Sequence, residues 1–442
     1  MNSRLRNLNL RPSTAGGIVF LATIVILLSH YAIKYGLNDP PSLRGDELSY
    51  DMVSWNLAKG NGFSEQVNEP VFWEPYVVEG KITPAQARRE QLKPVLVTHE
   101  RPPLFPYLLS LFNRQFGRQF WSVRIINVLA TSGTAGVLVW YLLRTGNFAS
   151  ALTGFVCFLI VDTRTRVYGR AVLTEATATF LLTIVTILLL LLLRHWRPRT
   201  LIQLGITAGL LVLDRTIFAL WLPGLALIVG RLSYHTPTKN TDVHLPPSWK
   251  RALASASFFL AISGLVVLPW GVRNILQLKA PMPFGTQGMS QLPAGFSDLA
   301  LERRGLWSAE PTHRLKREVA HFPTRQERDV ARARLGRQEA IDWIWSHPTD
   351  SVRLAGMKIW QEYRPRLPGE WLICVMAVVG FLLTVRRPDT CVFIGLHLIS
   401  CLVIAVTWSV EGRFVMPLMF TTHVFVARSV AILFDGGRGP AN

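Results

Sequence analysis

The 442-residue chain has few of the residues that mark several common protein classes. Its four cysteines, Cys157, Cys374, Cys391 and Cys401, all fall inside apolar blocks, with neither paired loop spacing nor a metal-ligand pattern. That excludes a disulfide scaffold and a cysteine-rich zinc module as organising principles. Charged residues make up only 17% of the chain. No RNA- or DNA-binding motif accompanies the formal net charge of +19, so the charge by itself does not indicate a nucleic-acid partner. No internal repeat is visible, which counts against transporter folds built from duplicated halves. No small-residue cleavage site follows the first apolar block, which therefore reads as a retained anchor rather than a removed signal peptide.

What is abundant is apolar sequence in long, pure blocks. Half of the residues are hydrophobic. Blocks at 16–33, 125–143, 176–193, 253–270, 372–385, 392–408 and 414–434 approach the roughly 20 apolar residues that a bilayer-spanning helix needs. Shorter ones at 149–161, 201–213 and 217–229 bring the expected number of spans to about ten. The basic residues flank them. Arg4, Arg6 and Arg11 precede the first, Arg194, Arg197 and Arg199 follow the fourth, Lys250 and Arg251 precede the seventh, and Arg386 and Arg387 part the eighth from the ninth. Under the positive-inside rule this distribution predicts two cytoplasmic termini and an even number of spans.

That topology delivers two long polar segments to the non-cytoplasmic side, residues 36–100 and 275–370. The first opens with Leu48, Met52 and Trp55 at helical spacing and Gly60 as a stop, which predicts an amphipathic helix at the membrane surface. The apolar stretch 104–116 is too short to span and reads as a half-sunk helix; its crossing would reverse the topology up to 161. The second loop carries a two-sign charged stretch, 313–345, which reads as a solvated helical surface. Expected modules are 1–274, 275–370 and 371–442.

Several ionisable residues stand out on that side. Asp46 and Glu47 lie just beyond the first span, and the plain reading is that Asp46 caps the helix that follows. Glu175 heads the fourth span. Arg101, Arg215 and Arg273 fall at headgroup level, where an arginine can simply meet ordinary lipid. Asp162, Asp214 and Glu411 read as structural. His99 beside Glu100 is too little to hold a metal, and the sequence calls for no cofactor. Trp55, Trp73, Trp270, Trp307, Trp360 and Trp371 cluster near predicted interfaces and read as boundary anchors, with stacking on sugar rings the alternative for a few.

Taken in order, Gly45-Asp46-Glu47, Asn56-Leu57-Ala58-Lys59-Gly60-Asn61-Gly62-Phe63-Ser64, Arg101-Pro102-Pro103-Leu104-Phe105-Pro106, Leu173-Thr174-Glu175, Leu213-Asp214-Arg215-Thr216, Pro269-Trp270-Gly271-Val272-Arg273-Asn274 and Glu411-Gly412-Arg413-Phe414 form a set. The set resembles the GT-C superfamily of polyprenyl-phosphate-sugar-dependent membrane glycosyltransferases, which includes protein O-mannosyltransferases and the lipid A aminoarabinose transferase. The resemblance implies an all-α polytopic bundle with two large extracytoplasmic loops carrying surface helices. It implies an inverting transfer of a monosaccharide from a polyprenyl-phosphate donor to a glycan, lipid or protein acceptor, in a membrane expected to be the bacterial cytoplasmic one. It places the catalytic base at Asp46, with Glu47 its neighbour and Glu175 as second acid. A base there would take the proton from the attacking hydroxyl. The departing lipid phosphate would fall to Arg101, Arg215 and Arg273, and His99, Glu100, Tyr50 and Asn274 are further substrate contacts. A transporter or flippase of lipid-linked glycans, or a non-catalytic scaffold of the same shape, are the alternatives.

Overall fold

The computed structural model describes residues 11–43, 45–234 and 248–434; Arg4, Arg6 and most of the 230–251 loop lie outside the described residues. All ten apolar blocks are helical, as hydrocarbon requires: without water, backbone N–H and C=O groups must bond within the segment. The helices are Pro12–Tyr35, Phe120–Thr145, Phe148–Val156 with a π turn over Cys157–Val161, Glu175–Arg194, Pro198–Asp214, and Leu222–Tyr234 entered through the Thr216–Trp221 turn. Trp249–Leu278, Pro368–Thr384, Pro388–Ala405 and Met419–Phe434 complete the set. Among the described residues, strand is confined to a two-residue antiparallel ladder, Ser64–Glu65 with Leu96–Val97.

Among the described residues, six helices are long and apolar enough to cross a bilayer, eight if each of two bent pairs is one span. The remaining two, Pro198–Asp214 and Met419–Phe434, have 17 and 16 residues. At about 1.5 Å per residue they cover about 25 Å, somewhat less than the roughly 30 Å hydrocarbon core. The chain is thus a polytopic membrane protein. Its outer belt is apolar, with Leu21, Val25, Leu253, Leu265, Val375 and Leu402 all exposed. Water would penalise such a belt; lipid tails do not.

Inside the bundle small residues set the helix crossings, because apolar side chains gain little by leaving lipid for protein. The first span packs on Phe120–Thr145 where Gly16 and Gly136 face each other. A Cβ on Gly16 would lie 2.9 Å from the carbonyl oxygen of Gly136, and one on Gly136 would lie 2.8 Å from that of Gly16.

The two long loops fold at one end of the bundle and onto each other. In the first, Glu47–Lys59 is a helix stopped by Gly60 in the left-handed region at φ 84°, whose N–H bonds the carbonyls of Asn56 and Leu57. It does not lie on the membrane surface as its sequence suggested. Every residue from Ser49 to Leu57 is buried, and the helix packs on Leu104–Phe116, which is indeed too short to span. The charged stretch of the second loop is two helices, Glu310–Glu318 and Arg325–Ser346, the latter begun by a Thr324/Glu327 capping box. Arg325 pairs with Glu65 at 2.5 Å, Arg332 pairs with Glu100, and the Thr286 N–H donates to the His99 carbonyl, so the second loop is bolted to the first. Trp55, Trp73 and Trp270 are core residues, 7%, 1% and 8% exposed, which corrects their reading as interface anchors; Trp307, Trp360 and Trp371 are exposed.

The glycine crossing predicts a sharp contrast between neighbours. Gly16→Leu should lower thermal stability in detergent by about 1–3 kcal/mol, the usual cost of overpacking, whereas Gly17→Leu, with nothing within 4 Å of its Cβ position, should leave it unchanged. Equal unfolding midpoints for the two variants would contradict the packing.

Candidate active site

Five chain segments converge on one ionic cluster. Asp46 sits in the turn after Gly45, which takes a φ of 76°, and makes no capping bond, so its carboxylate is free to reach across the loop. The capping reading of Asp46 is therefore set aside. One oxygen accepts from Arg101 Nη1 at 2.6 Å and the other from Arg413 Nη2 at 3.0 Å. Arg101 is placed by the ladder that precedes it and by Pro102-Pro103, which turn the chain into the Leu104–Phe116 helix. Its Nε donates to Ser49 Oγ at 2.9 Å, and its guanidinium lies over the Tyr50 ring, 5.5 Å from the centroid.

Glu175 is the first residue of its span, where a carboxylate complements the helix dipole. It is fully buried, and its Oε1 accepts from Arg215 Nη1 at 2.7 Å and from Arg413 Nε. Its Oε2 is buried with no hydrogen-bond partner among the described residues. Arg413 thus ties the two acids together. Three guanidiniums, Arg101, Arg215 and Arg413, face two carboxylates, so the cluster carries one positive charge in excess.

Arg413 was not among the sequence candidates, although its tripeptide was part of the motif set. It owes its place to a strained turn: Glu411 and Gly412 both lie in the left-handed region, at φ 49° and 87°. Glu362, from the Pro348–Tyr363 helix, holds that turn. Its carboxylate accepts from Ser409 Oγ at 3.0 Å, from the Phe414 N–H at 2.9 Å and from the Val410 N–H. Nothing local in the sequence announces this clamp, which acts across about fifty residues of chain.

Other candidates lie elsewhere. Glu47 accepts from the backbone N–H groups of Val172, at 3.1 Å, and Ser42, and so joins the first loop to the segment before Glu175. Arg273 donates to the carbonyl of Thr98 at 3.0 Å and to Asn274 Oδ1 at 2.8 Å, and stacks on Trp270, 4.6 Å from the ring centroid. It fastens the seventh span to the ladder. Asn274 donates to the Pro283 carbonyl at 2.9 Å. Asp214 accepts from Thr177 Oγ1 at 2.9 and 3.0 Å, and Asp162 pairs with Arg164 at 2.7 Å. Glu411 supplies backbone to the Arg413 turn. Among the described residues no group of three or more His, Cys, Asp or Glu side chains is arranged to hold a metal.

The electrostatics follow from these contacts. Burial pushes the Asp46 carboxyl up, but Arg101 and Arg413 outweigh it and hold the group at about 2. Burial also pushes Glu100 up; Arg332 and Arg101 bring it below the usual carboxylate range. Burial, with Arg273 and Arg325 nearby, lowers His99 to about 4, so its ring is neutral at physiological pH. Both of its ring nitrogens are buried without hydrogen-bond partners among the described residues.

Over residues 100–263 the sequence matches the family described as dolichyl-phosphate-mannose-protein mannosyltransferase. No curated protein sequence matches the chain. Among solved structures, the archaeal oligosaccharyltransferase AglB from Archaeoglobus fulgidus, in complex with an inhibitory peptide and a dolichol-phosphate, is 13% identical with a TM-score of 0.50. The match covers 94% of this chain and 50% of AglB. ArnT from Cupriavidus metallidurans bound to undecaprenyl phosphate is 15% identical with a TM-score of 0.43, over 94% of this chain and 77% of ArnT. The similarity to AglB is one of fold. Family match and fold both agree with the resemblance to GT-C membrane glycosyltransferases.

Two outcomes follow from the cluster. Asp46 is depressed from about 3.9 in an unfolded chain to about 2, so its stabilising contribution is complete above pH 4 and is lost as pH falls through 2. Asp46→Asn should flatten the unfolding midpoint between those pH values relative to wild type; parallel curves would contradict the ion pairs. Glu362→Ala strips the acceptor from three donors and should cost about 1–3 kcal/mol for each one left buried and unsatisfied, read in the same unfolding assay.

Proposed function

We propose that this chain is an inverting glycosyltransferase of GT-C architecture that moves a monosaccharide from a polyprenyl-phosphate donor to an acceptor on the non-cytoplasmic side of the membrane. The observation that carries the reading is the bridge Asp46–Arg413–Glu175, flanked by Arg101 and Arg215, which puts two acids and an excess of guanidinium at one point where the two loops meet the spans. The family matched is described by a lipid-phosphate sugar donor. The flanking basic residues support cytoplasmic termini, and the membrane proposed is the bacterial inner one. Residues 1–274 then form the catalytic module, 275–370 the loop domain beside it and 371–442 the closing spans.

The reaction makes a bond from an acceptor oxygen to the anomeric carbon and breaks the bond from that carbon to the phosphate oxygen. The acceptor proton goes to Asp46 and the electron pair leaves on polyprenyl phosphate. At about 2, with two arginines bound, Asp46 is a weak base. The donor phosphate competes for those same arginines. As Arg101 and Arg413 turn to the phosphate, Asp46 regains basicity and free lone pairs, so donor binding arms the base. The guanidiniums then stabilise the charge that grows on the leaving group. The buried Oε2 of Glu175, unpartnered among the described residues, supports a second acidic role beside Asp46.

The isoprenoid tail has a place as well. A cavity of about 370 Å³ is lined by Ile373, Ala377 and Phe381 of one span, Ile394 and Leu398 of the next, and Met419 and Phe425 of the last, and it also touches Val415, two residues from Arg413. Its lining is predominantly apolar. A transport site would place ionisable groups near mid-span; the clustered Asp46, Arg101, Glu175, Arg215 and Arg413 lie at helix ends and in turns.

The test is transfer of radiolabelled sugar from polyprenyl-phosphate donors by purified protein. Asp46→Asn should lower turnover by about 10²- to 10⁴-fold, and Arg413→Gln should weaken the donor as well as slow transfer. Arg273→Gln should reduce thermal stability with donor KM unchanged. Wild-type turnover by Asp46→Asn would remove Asp46 as the base.

A further inference from the structure

The acceptor should approach from the loop side, and the second loop holds an open groove beside the 409–411 turn that precedes Arg413. A cavity of about 760 Å³ is lined by Arg303, Trp307, Glu310, His313, Lys316 and Arg317. A second, of about 380 Å³, shares Arg303 and Trp307 and ends on Ser409, Val410 and Glu411, two residues short of Arg413. Trp307 is 36% exposed, yet it is not loose. Its backbone N–H donates to the Ser409 carbonyl at 3.0 Å and its indole N–H to Gln291 Oε1 at 2.8 Å. The turn before it is backed by Lys358, whose Cγ would be 2.9 Å from a Cβ on Gly305. Lys358 is itself buried and donates to the Thr407 carbonyl at 2.8 Å. A fixed, exposed indole beside a reaction site is a platform on which a sugar ring can stack at little entropic cost.

The charge lining the groove is net positive, with Arg303, Lys316 and Arg317 set against Glu310 and Glu411. Arg303, Lys316 and Arg317 are exposed and make no ion pair among the described residues, whereas their neighbour Arg314 is paired with Glu318 and Glu339.

We propose that this groove is the acceptor site and that the acceptor is an anionic glycan, a sugar chain bearing carboxylate or phosphate groups, with one ring on Trp307 and its acidic groups at Arg303, Lys316 and Arg317. The assignment rests on the glycosyltransferase reading above.

The test is calorimetric titration of the full-length protein in neutral-lipid nanodiscs with a galacturonic acid hexamer and, in parallel, neutral maltohexaose. The acidic hexamer should bind, and binding should weaken at least about tenfold in Trp307→Ala, in the double variant Lys316→Glu/Arg317→Glu, and on raising salt, since exposed charge pairs are screened. Unfolding midpoints are measured on each variant, and the exposed double variant carries the test if Trp307→Ala unfolds. Equal binding of the two hexamers, no binding by wild type, or abolition of binding when the nanodiscs contain anionic lipid would overturn the assignment, the last by giving the cations to headgroups. Donor cleavage is measured on the same preparation. Cleavage without hexamer binding sinks the groove alone, whereas absence of cleavage sinks the enzymatic reading whatever the hexamer does.

Discussion

Arg413 is the residue on which the site depends. Its guanidinium bonds Asp46 from the first loop and Glu175 from the head of the fourth span, which are far apart in sequence and are held together through that one side chain. Two carboxylates brought so close would repel in a medium of low dielectric; interposed arginine turns the repulsion into a network. Removing the cation would leave Asp46 with Arg101 alone and Glu175 with Arg215 alone, so the bridge is the structural joint between loop and span.

The joint is supported at some distance. Glu362 holds the backbone of the turn that carries Arg413, and Trp307 hydrogen-bonds the same turn at Ser409. Arg325 and Arg332 reach from the second loop to Glu65 and Glu100, and Glu65 accepts from Ser49, which in turn accepts from Arg101. A chain of charge-assisted bonds thus runs from the second loop to the guanidinium beside Asp46. Such bonds are strong where water is scarce, and each fixes the rotamer of the next. The second loop is therefore part of the site's scaffold rather than an appendage.

The same logic explains how a carboxylate held at about 2 can sit where the proposed reaction calls for a base. A preformed, unpaired base beside a lipid bilayer would be costly to keep ionised. Pairing it with Arg101 and Arg413 keeps it charged, and under the proposed mechanism those arginines pass to the donor phosphate. Arg273 lies outside this cluster and donates to the Thr98 and Phe63 carbonyls and to Asn274.

Much was decided by the sequence alone. Block length and purity fixed helices and a membrane solvent, since hydrocarbon leaves the backbone no other way to satisfy its polar groups. The order of short motifs pointed to Asp46, Glu175, Arg101 and Arg215, and these four do meet. Three things were decided only in three dimensions. Burial of the Glu47–Lys59 helix depends on Leu104–Phe116 covering it, and an amphipathic pattern cannot say whether protein or lipid takes the apolar face. Glu47 and Arg273 had motif positions equal to those of Asp46 and Arg101, but a side chain's direction follows from its packing, and theirs turn to backbone partners. Arg413 and Glu362 lacked any local signal of their importance, because a bridge or clamp is a relation between distant residues, and a linear pattern carries no distances.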